Sequence, residues 1–438
     1  MSEVLVIGAG ISGLTAAWQL RSAGIEVTVL EASDRPGGRI HSVNMNECTI
    51  ETGANFITDA YRLIPPLSRS LGIKLQAVRS DSAIIIDGHI RAFRADHPMT
   101  TIRTGILPLK TTITQLPGLA RFAMHCRNRG TCDPLDWLDL DSLSAGEWSE
   151  KMKLTAFAER GWRPAYNGFY FQDIYASSAA AVAAMAAHGL GQQTLTMPEG
   201  LSSLTDALAA SLDLRTGVKV THIDESATSA TVHTGTGTLR ADNVIVAVPG
   251  PHISGITDPN RFEAAVARTS YSAGLLVALG TNRHLHPDEL SGAYGVLAHP
   301  DEGPLAAMCV ASRAGHAHGA GDVVTCMFAD RPARELAAMS DAEIISFSRS
   351  ALLTRAPGLE NALITDPVRN LVIRVPYAMP RSAPGRLSHI QAYRQHAQGR
   401  RVILAGDSMA WPWTDSAAFA GKWAANLIIE RRTASARG

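Results

Sequence analysis

Three glycines and one glutamate near the start of the chain have the spacing of a dinucleotide-binding site. Gly8, Gly10 and Gly13 follow the GxGxxG pattern, and Glu31 lies 18 residues after Gly13. In such a pattern the first glycine permits a tight turn, the second lets the backbone approach a pyrophosphate, and the third lets a helix pack closely on a strand. A carboxylate about 20 residues further on accepts a hydrogen bond from a ribose hydroxyl. The spacing therefore predicts a bound dinucleotide.

The elements that must position these residues are predicted by the same stretch. Val4–Ile7 is a short apolar run rich in β-branched residues, which is typical of a strand buried on both faces. Residues 14–20 predict a helix, and residues 26–32 predict a second strand. Ile11 and Ser12 lie in the turn between strand and helix, where free N–H groups and the helix dipole favour a phosphate.

Local patterns predict further elements along the chain. Residues 61–71 predict a helix, and residues 83–93 predict a hairpin that turns at Asp87 and Gly88. Residues 143–152 predict a helix with Ser144 as its cap and an acid, Glu147, three residues on. The run NVIVAVPGPHI at residues 243–253 predicts another buried strand and contains Pro249.

A longer motif follows and indicates which dinucleotide is bound. The chain reads EASDRPGGR from Glu31 to Arg39, and residues 50–57 read IETGANFI. This sequence resembles the flavin-containing amine oxidase superfamily, which includes monoamine and polyamine oxidases, protoporphyrinogen oxidases and phytoene-type desaturases. The resemblance implies FAD as the cofactor, with Arg39 close to its pyrophosphate. It adds three neighbours to the candidate cofactor-binding residues: Ala32, Ser33 and Gly38.

Two internal segments resemble the superfamily as well. Near the flavin ring the resemblance places Gly53, Ala54, Asn55 and Phe56. Further along the chain, the backbone at Val220 is implied to meet the adenine.

The C-terminal segment resembles the superfamily's second flavin motif. Gly406 and Asp407 end a predicted strand, and Asp407 matches the acid that accepts a hydrogen bond from the ribityl chain. Asp415, Ser416 and Ala417 open the last helix, whose N-terminal N–H groups would face the flavin O2 and stabilise reduced flavin.

The implied fold is α/β. It consists of a Rossmann-like FAD-binding domain of the glutathione-reductase type, assembled from discontinuous segments, and a second α+β substrate domain. Because the two flavin motifs lie at opposite ends of the chain, we assign residues 1–75, 195–255 and 395–438 to the FAD-binding domain. The substrate domain then comprises residues 76–194 and 256–394.

The candidate catalytic residues are predicted by elimination. Many amine oxidases of the superfamily hold a lysine near flavin N5 through a water, yet none of the six lysines lies in the predicted strand at residues 306–312. No cysteine occurs at residues 405–423, so we expect non-covalent FAD. We therefore expect hydride abstraction that depends on pocket shape, with Trp411, Trp413 and Tyr377 as candidate catalytic residues.

The substrate segments leave two points open. An aromatic cluster can form either the core or a wall of the substrate cavity; its members are Trp162, Tyr166, Phe169, Tyr170, Phe171 and Tyr175. Residues 369–390 resemble a segment of protoporphyrinogen-oxidase-like proteins, but Val375 stands where Trp is usual and Ser382 where Tyr is usual. A substrate unlike those of the best-known branches is expected.

Composition excludes several classes of protein. Forty basic and forty acidic residues balance, so no overall charge favours nucleic acid or an anionic membrane. Five scattered cysteines without CxxC spacing argue against a disulfide framework or a zinc site and for a cytoplasmic protein. We expect no signal peptide, no transmembrane segment and no metal, since the two His-x-His pairs lack further ligands; a homodimer is left open.

Three functions are compatible with the sequence. The first is an FAD-dependent oxidase or dehydrogenase that removes a hydride from a largely apolar small molecule at a C–N or C–C bond, with a place in secondary metabolism. The second is a redox-neutral, desaturase-like flavin enzyme, since some members of the desaturase branch isomerise or hydrate polyenes. The third is a flavin-binding partner protein without turnover.

Overall fold

The computed structural model describes residues 3–78, 81–95, 97, 99–189 and 191–435. The strands are β1 (Val4–Ile7), β2 (Val27–Leu30), β3 (Ser42–Met45), β4 (Cys48–Glu51), β5 (Ile57–Thr58), β6 (Gln76–Ala77), β7 (Ser82–Ile86), β8 (His89–Phe93), β9 (Thr194–Thr196), β10 (Asp213–Arg215), β11 (Val220–Glu225), β12 (Ala230–Thr234), β13 (Gly237–Ala241), β14 (Asn243–Val246), β15 (Tyr271–Thr281), β16 (Gly295–Ala298), β17 (Leu305–Val310), β18 (Asp322–Phe328), β19 (Asn370–Pro380) and β20 (Val402–Leu404).

The α-helices are α1 (Ile11–Ser22), α2 (Ile64–Ser70), α3 (Met99–Arg103), α4 (Leu109–Cys126), α5 (Ala145–Met152), α6 (Thr155–Phe157), α7 (Arg163–Tyr170), α8 (Ala179–Gly189), α9 (Ser202–Ala210), α10 (Gly250–Ile253), α11 (Arg261–Ala267), α12 (Ala311–Ala314), α13 (Asp330–Leu336), α14 (Asp341–Arg355), α15 (Arg386–His396) and α16 (Thr414–Ser435). A π-helical segment (Ala158–Trp162) precedes α7. None of the described helices is long and apolar enough to cross a membrane.

A five-stranded parallel sheet brings the two ends of the chain together. Its strand order is β10-β2-β1-β14-β20. The central strand β1 is fully buried, as its run of β-branched residues predicts, and α1 and α16 pack against each other beside it. Each strand comes from a segment that the sequence assigns to the FAD-binding domain; the domain boundaries themselves stay a prediction.

A seven-stranded mixed sheet forms the second layer, in the order β19-β15-β18-β17-β16-β7-β8. Helix α14 packs on one face through Ile344 and Leu352. The other face carries Leu276 and Met327 toward the helical segment that contains α4 to α8. The predicted hairpin of β7 and β8 turns at Asp87 and Gly88, whose φ angles of 53° and 73° are those of a tight hairpin turn.

Three boundaries differ from the sequence prediction. Helix α1 begins at Ile11 rather than at residue 14, because the turn is shorter than expected. The helix predicted from residue 61 begins at Ile64, with Pro65 in its first turn. The strand predicted over residues 243–253 ends at Val246, and Pro249, which cannot donate to a strand, instead precedes α10.

Candidate functional site

The turn between β1 and α1 leaves room for a ligand at one glycine only. A Cβ on Gly13 would lie within 3.0 Å of the Gly8 carbonyl oxygen, and Gly8 itself has a φ of 99°. A Cβ on Gly10 would meet nothing within 4 Å. No side chain caps α1, and the Leu14 amide makes the first helical bond, to Gly10. The preceding amides of α1 are therefore placed to bind an anion.

Glu31 follows β2, and its carboxylate is held in place beside the turn that precedes α1. Its Oε2 accepts a hydrogen bond from the Ala9 amide at 2.7 Å, and its Oε1 accepts from the Ser33 amide at 2.9 Å. The Val218 amide donates to the Glu31 carbonyl oxygen at 2.8 Å, just before β11 begins at Val220. Glu31, Ser33 and Val220 therefore lie along one edge of the site.

Arg39 and Asp407 form an ion pair in the interior of the protein. Their Nη1 and Oδ2 atoms are 2.6 Å apart, and Nη1 also donates to the Ala378 carbonyl oxygen at 2.8 Å. Burial lowers the pKa of Arg39, but the Asp407 carboxylate more than offsets it. Protein surrounds Arg39, yet 36% of its side chain is solvent-accessible, so it lines an internal space.

Tyr271 binds the second carboxylate oxygen of Asp407, although no sequence signal singled it out. Its hydroxyl donates to Asp407 Oδ1 at 2.7 Å and accepts from the Gly250 amide at 3.1 Å. Burial and the Asp407 carboxylate both raise the pKa of Tyr271, so the phenol stays protonated. Asp407 is thus fixed by a cation and a hydroxyl at the strand end where a polar ligand group would need an oriented acceptor.

The segment at residues 53–56 runs from Arg39 to the second sheet. The Ala54 amide donates to the Arg39 carbonyl oxygen at 3.0 Å, and a Cβ on Gly53 would overlap that same oxygen. Asn55 Oδ1 accepts a bond from the Cys309 thiol at 3.6 Å, and the Phe56 ring meets Phe169 edge-on at 5.4 Å. This segment therefore connects the two sheets at the site.

The start of α16 uses its side chains for structural contacts. Asp415 accepts hydrogen bonds from three successive amides, those of residues 62, 63 and 64, each at 2.8 Å, and so caps α2. Ser416 Oγ accepts from the Trp411 amide and donates to the Cys132 carbonyl oxygen. The Ala417 amide donates to the Trp413 carbonyl oxygen. Any contact of Asp415 or Ser416 with a cofactor would therefore use main-chain amides.

The three candidate catalytic residues differ in position. Trp411 is fully buried and stacks on Trp413 at 5.6 Å. Trp413 also lies 5.9 Å from the rings of Tyr170 and His188. Tyr377 is exposed on β19, and its carbonyl oxygen accepts a bond from Arg39. Trp413 and Tyr377 remain candidate pocket walls, whereas Trp411 lies in the core and packs against Trp413.

The aromatic cluster divides between core and site. Trp162 packs on Trp148, and Tyr166 is fully buried. Phe169 and Tyr170 instead meet Phe56 and Trp413, respectively. Because α7 carries Tyr166 as well as Phe169 and Tyr170, one face of this helix is core while its C-terminal residues reach the site.

His188 is a further site residue that the sequence did not indicate, because it follows a run of alanines in α8. Its ring stacks on Trp413, and Nε2 lies 2.9 Å from Thr58 Oγ1. Burial lowers its pKa to about 4, so His188 is neutral near pH 7.

The other histidines and the lysines have ordinary surroundings. The ring Nε2 of His316 contacts Thr196, and that of His318 contacts Thr49, at 2.8 and 3.1 Å. Five of the six lysines are exposed, and the sixth, Lys422, lies within α16. Glu159, His299 and Asp301 bring possible metal ligands within 4.8 Å, but Arg163 lies 2.6 Å from Glu159 and already balances its charge.

Residues 11–429 match the family described as flavin containing amine oxidoreductase. The chain belongs to this family. It is 25% identical to polyamine oxidase 4 of Oryza sativa subsp. japonica over 417 residues, which cover 85% of this chain and 75% of the relative. The protein is accordingly an FAD-dependent oxidoreductase whose family binds FAD non-covalently.

Solved structures share its fold. A wild-type putrescine oxidase bound to putrescine superposes with a TM-score of 0.76 at 19% identity, covering 98% of this chain and 99% of the other. A fatty acid isomerase from P. acnes that produces CLA gives a TM-score of 0.73 at 18% identity, with 98% of each chain covered. At these identities the likeness concerns the fold alone.

The residues present fit FAD. The open space at Gly10, the uncapped start of α1 and the reachable guanidinium of Arg39 suit a pyrophosphate. Glu31 and Asp407 place oriented carboxylates on either side of that turn, where the ribose and ribityl hydroxyls of such a ligand need acceptors.

Proposed function

We propose that this flavoprotein is an oxidase or dehydrogenase that removes a hydride from a largely apolar small molecule at a C–N or C–C bond. FAD, when bound, supplies the electron-accepting ring. The protein's share of the reaction is to bind the substrate, orient one C–H bond and exclude water.

In this proposal the five-stranded parallel sheet is a Rossmann-like FAD-binding domain, formed by the three segments assigned from the sequence. The adenosine half is held by Glu31, Ser33 and the backbone near Val220, and the phosphates by the turn that contains Gly10 and by Arg39. The flavin half is held by the remaining candidates: Gly53, Ala54, Asn55, Phe56, Gly406, Asp407 and the start of α16.

The observation that carries the substrate assignment is the position of Asn55 and Phe56. They lie between the Arg39–Asp407 pair and the apolar face of the second sheet. That face presents uncharged side chains beside Phe169, among them Leu276, Ala307, Met327, Val375 and Met379. Such a wall binds an apolar substrate by burial of its surface.

No described residue beside this wall is an obvious proton donor or acceptor. Cys309 lies on β17, where the superfamily resemblance would place a lysine, but burial raises the pKa of its thiol to about 12. His188 is neutral near pH 7, and the nearby phenol of Tyr170 has a pKa raised by burial. We infer that substrate positioning, rather than general acid–base catalysis, is the protein's main contribution.

A redox-neutral isomerase is the second candidate. It is favoured by the full-length fold likeness to the fatty acid isomerase and by the same apolar wall. The two candidates differ in whether the flavin ends the reaction reduced. A cytoplasmic location also stays a prediction, and a homodimer stays open.

The test is an anaerobic screen of the holoprotein with amines, tetrapyrroles and polyenes, without NAD(P)H. Bleaching of the flavin absorbance by one class supports an oxidase or dehydrogenase and identifies its substrate class. Conversion of a polyene with the flavin still oxidised at the end would favour the isomerase. A protein that binds FAD but converts no member of any class would contradict both.

A further inference from the structure

Helices α3 and α4 carry an unusual number of exposed apolar side chains. Of the nine large hydrophobic residues exposed in the described structure, five lie here, each between 52% and 72% exposed: Met99, Leu109, Ile113, Leu116 and Met124. Monomeric soluble proteins rarely expose a contiguous apolar surface of this kind without a binding role. We call this set the α4 stripe.

The spacing within α4 aligns these side chains on one face. At about 100° per residue, Leu109, Ile113, Leu116 and Met124 fall within an arc of about 80°. Gln115, Gly118 and Phe122 are buried and occupy the opposite face, and buried Thr112 lies on the flank between the two faces. The helix is therefore anchored by one face and presents a second apolar face outward.

The connection between α3 and α4 is fixed to the protein body. Ile106 and Leu107 are buried against the apolar face of the second sheet, in the same cluster as Phe171. Arg160 Nε donates to the Ile106 carbonyl oxygen at 2.7 Å. The exposure of the α4 stripe thus belongs to the folded protein, and the connection that precedes α4 packs on the proposed substrate wall.

The charge of this segment is one-sided, although that of the whole chain is zero. Residues 97–132 contain five Arg or Lys residues and no Asp or Glu. Arg129 is paired with Asp139, whereas exposed Arg103, Lys110 and Arg127 have no carboxylate partner within the part of the chain that is described. With angles counted around the helix axis from Leu109, Lys110 and Arg121 lie at about 100–120°. They are therefore next to the edge of the stripe, which ends with Met124 at about 60°.

We propose that the α4 stripe docks on an anionic lipid bilayer, with its apolar side chains at the headgroup boundary and its cations against the lipid phosphates. An outward apolar face flanked by Lys and Arg is the pattern of an interfacial helix. Juxtamembrane cations are attracted to the negative surface of such a bilayer. A second copy is a poorer occupant, because a two-fold contact would oppose the same unpaired cations on both subunits.

The proposal is tested by cosedimentation of the FAD-loaded full chain with vesicles. The probes are phosphatidylcholine vesicles with and without one quarter phosphatidylglycerol. We expect binding to the anionic vesicles that weakens as salt is raised, and much weaker binding to the neutral ones. Lack of binding to the anionic vesicles at low salt would overturn the proposal.

Matched variants identify the surface. Lys110→Gln with Arg127→Gln should lower the partition coefficient about 25-fold, at about fivefold per cation. Ile113→Ser with Leu116→Ser should lower it at least about tenfold. Val368→Ser, which is at a more exposed site outside the stripe, should change nothing. Binding that is equally strong in all variants would contradict the docking surface.

The same variants test the other occupants. A concentration-dependent dimer that Ile113→Ser with Leu116→Ser abolishes, in a protein that does not bind vesicles, would assign the stripe to a second copy. Unchanged flavin absorbance and thermal unfolding in the variants establish that a loss of vesicle binding is not a loss of fold. Because vesicle binding is measured without substrate, its outcome is independent of the proposed reaction.

Discussion

The Ser12 hydroxyl accepts a hydrogen bond from the Gly406 amide at 2.9 Å, across 394 positions of sequence. Ser12 lies in the first turn of α1, and Gly406 precedes Asp407 at the end of β20. Both atoms are buried, so the bond has no competing water. It fixes the N-terminal phosphate-binding turn relative to the carboxylate that pairs with Arg39.

The same junction depends on a glycine in α16. A Cβ on Gly421 would overlap the Ser12 carbonyl oxygen, so Gly421→Ala should force α1 and α16 apart. We expect a loss of about 1–3 kcal/mol in the free energy of unfolding, despite the better helix propensity of Ala. Gly161→Ala is the control, because a Cβ there would meet nothing within 4 Å. Denaturant unfolding measures both; equal stabilities would mean that the close packing is not required.

Asp407 should be needed for tight FAD binding. In Asp407→Asn, the Tyr271 hydroxyl keeps an acceptor, but Arg39 loses its anionic partner and its orientation. Loss of a hydrogen bond to a charged group predicts an FAD dissociation constant about 10–100-fold higher. Glu335→Gln, which breaks an exposed pair with Arg331, is the control. Isothermal titration of the apoprotein with FAD compares them; similar affinities would remove Asp407 from the cofactor site.

Local features of the fold could be predicted from the sequence, because each depends on neighbouring residues. The β1 strand, the turn at Asp87 and Gly88, and the capping box of Ser144 with Glu147 are all present as expected. The strand predicted over residues 243–253 is too long, because that range contains Pro249, which cannot donate to a neighbouring strand.

The contacts that complete the site depend on residues far apart in sequence, and local patterns do not show them. Tyr271 reaches Asp407 across 136 positions, and Asp415 caps α2 more than 350 positions away. His188 stacks on Trp413 only because α8 packs beside the start of α16. Family resemblance could locate Asp407 and Asp415, but only the tertiary fold distinguishes the acid that faces the site from the one that caps a helix.

Glu51 should make stability depend on pH. It is buried, and its Oε1 accepts a hydrogen bond from the Leu201 amide at 2.7 Å. This bond lowers the pKa of Glu51, but burial has the larger effect and raises the pKa to about 7. Between about pH 4.3, its unfolded value, and pH 7 the folded state keeps a proton that the unfolded state releases. The contribution of Glu51 to stability is therefore complete below about pH 4.3 and is lost as the pH rises through 7.

Glu51→Gln removes that titration. Relative to the wild type, the variant should gain about 2–4 kcal/mol in the free energy of unfolding between pH 4.5 and pH 8. Glu26→Gln, on an exposed residue, should follow the wild type at each pH. Urea unfolding over this range is the measurement, and parallel curves for wild type and Glu51→Gln would show that the carboxylate is ionised normally in the fold.

Alanine variants of Trp411 and Trp413 should have different effects, because one indole is in the core and the other is a candidate pocket wall. Trp411 is wholly buried, so Trp411→Ala should cost about 3–5 kcal/mol of stability. Trp413 stacks on His188 and contacts the tilted ring of Tyr170 at the edge of the site, so Trp413→Ala should lower kcat/KM for the substrate found in the screen by at least about tenfold. Its flavin-to-protein absorbance ratio should stay that of the wild type, since the proposed FAD contacts do not include its indole.

Lysine variants test the alternative, in which a lysine assists the reaction. If the reaction depends on positioning, Lys422→Met and each exposed-lysine variant should change kcat far less than the roughly 10²–10⁴-fold typical of a lost general acid or base. Steady-state kinetics and flavin occupancy are measured on the same preparations. A lysine variant that binds FAD normally but does not turn over would establish a lysine-assisted reaction. Full activity in Trp413→Ala would remove the indole from the pocket.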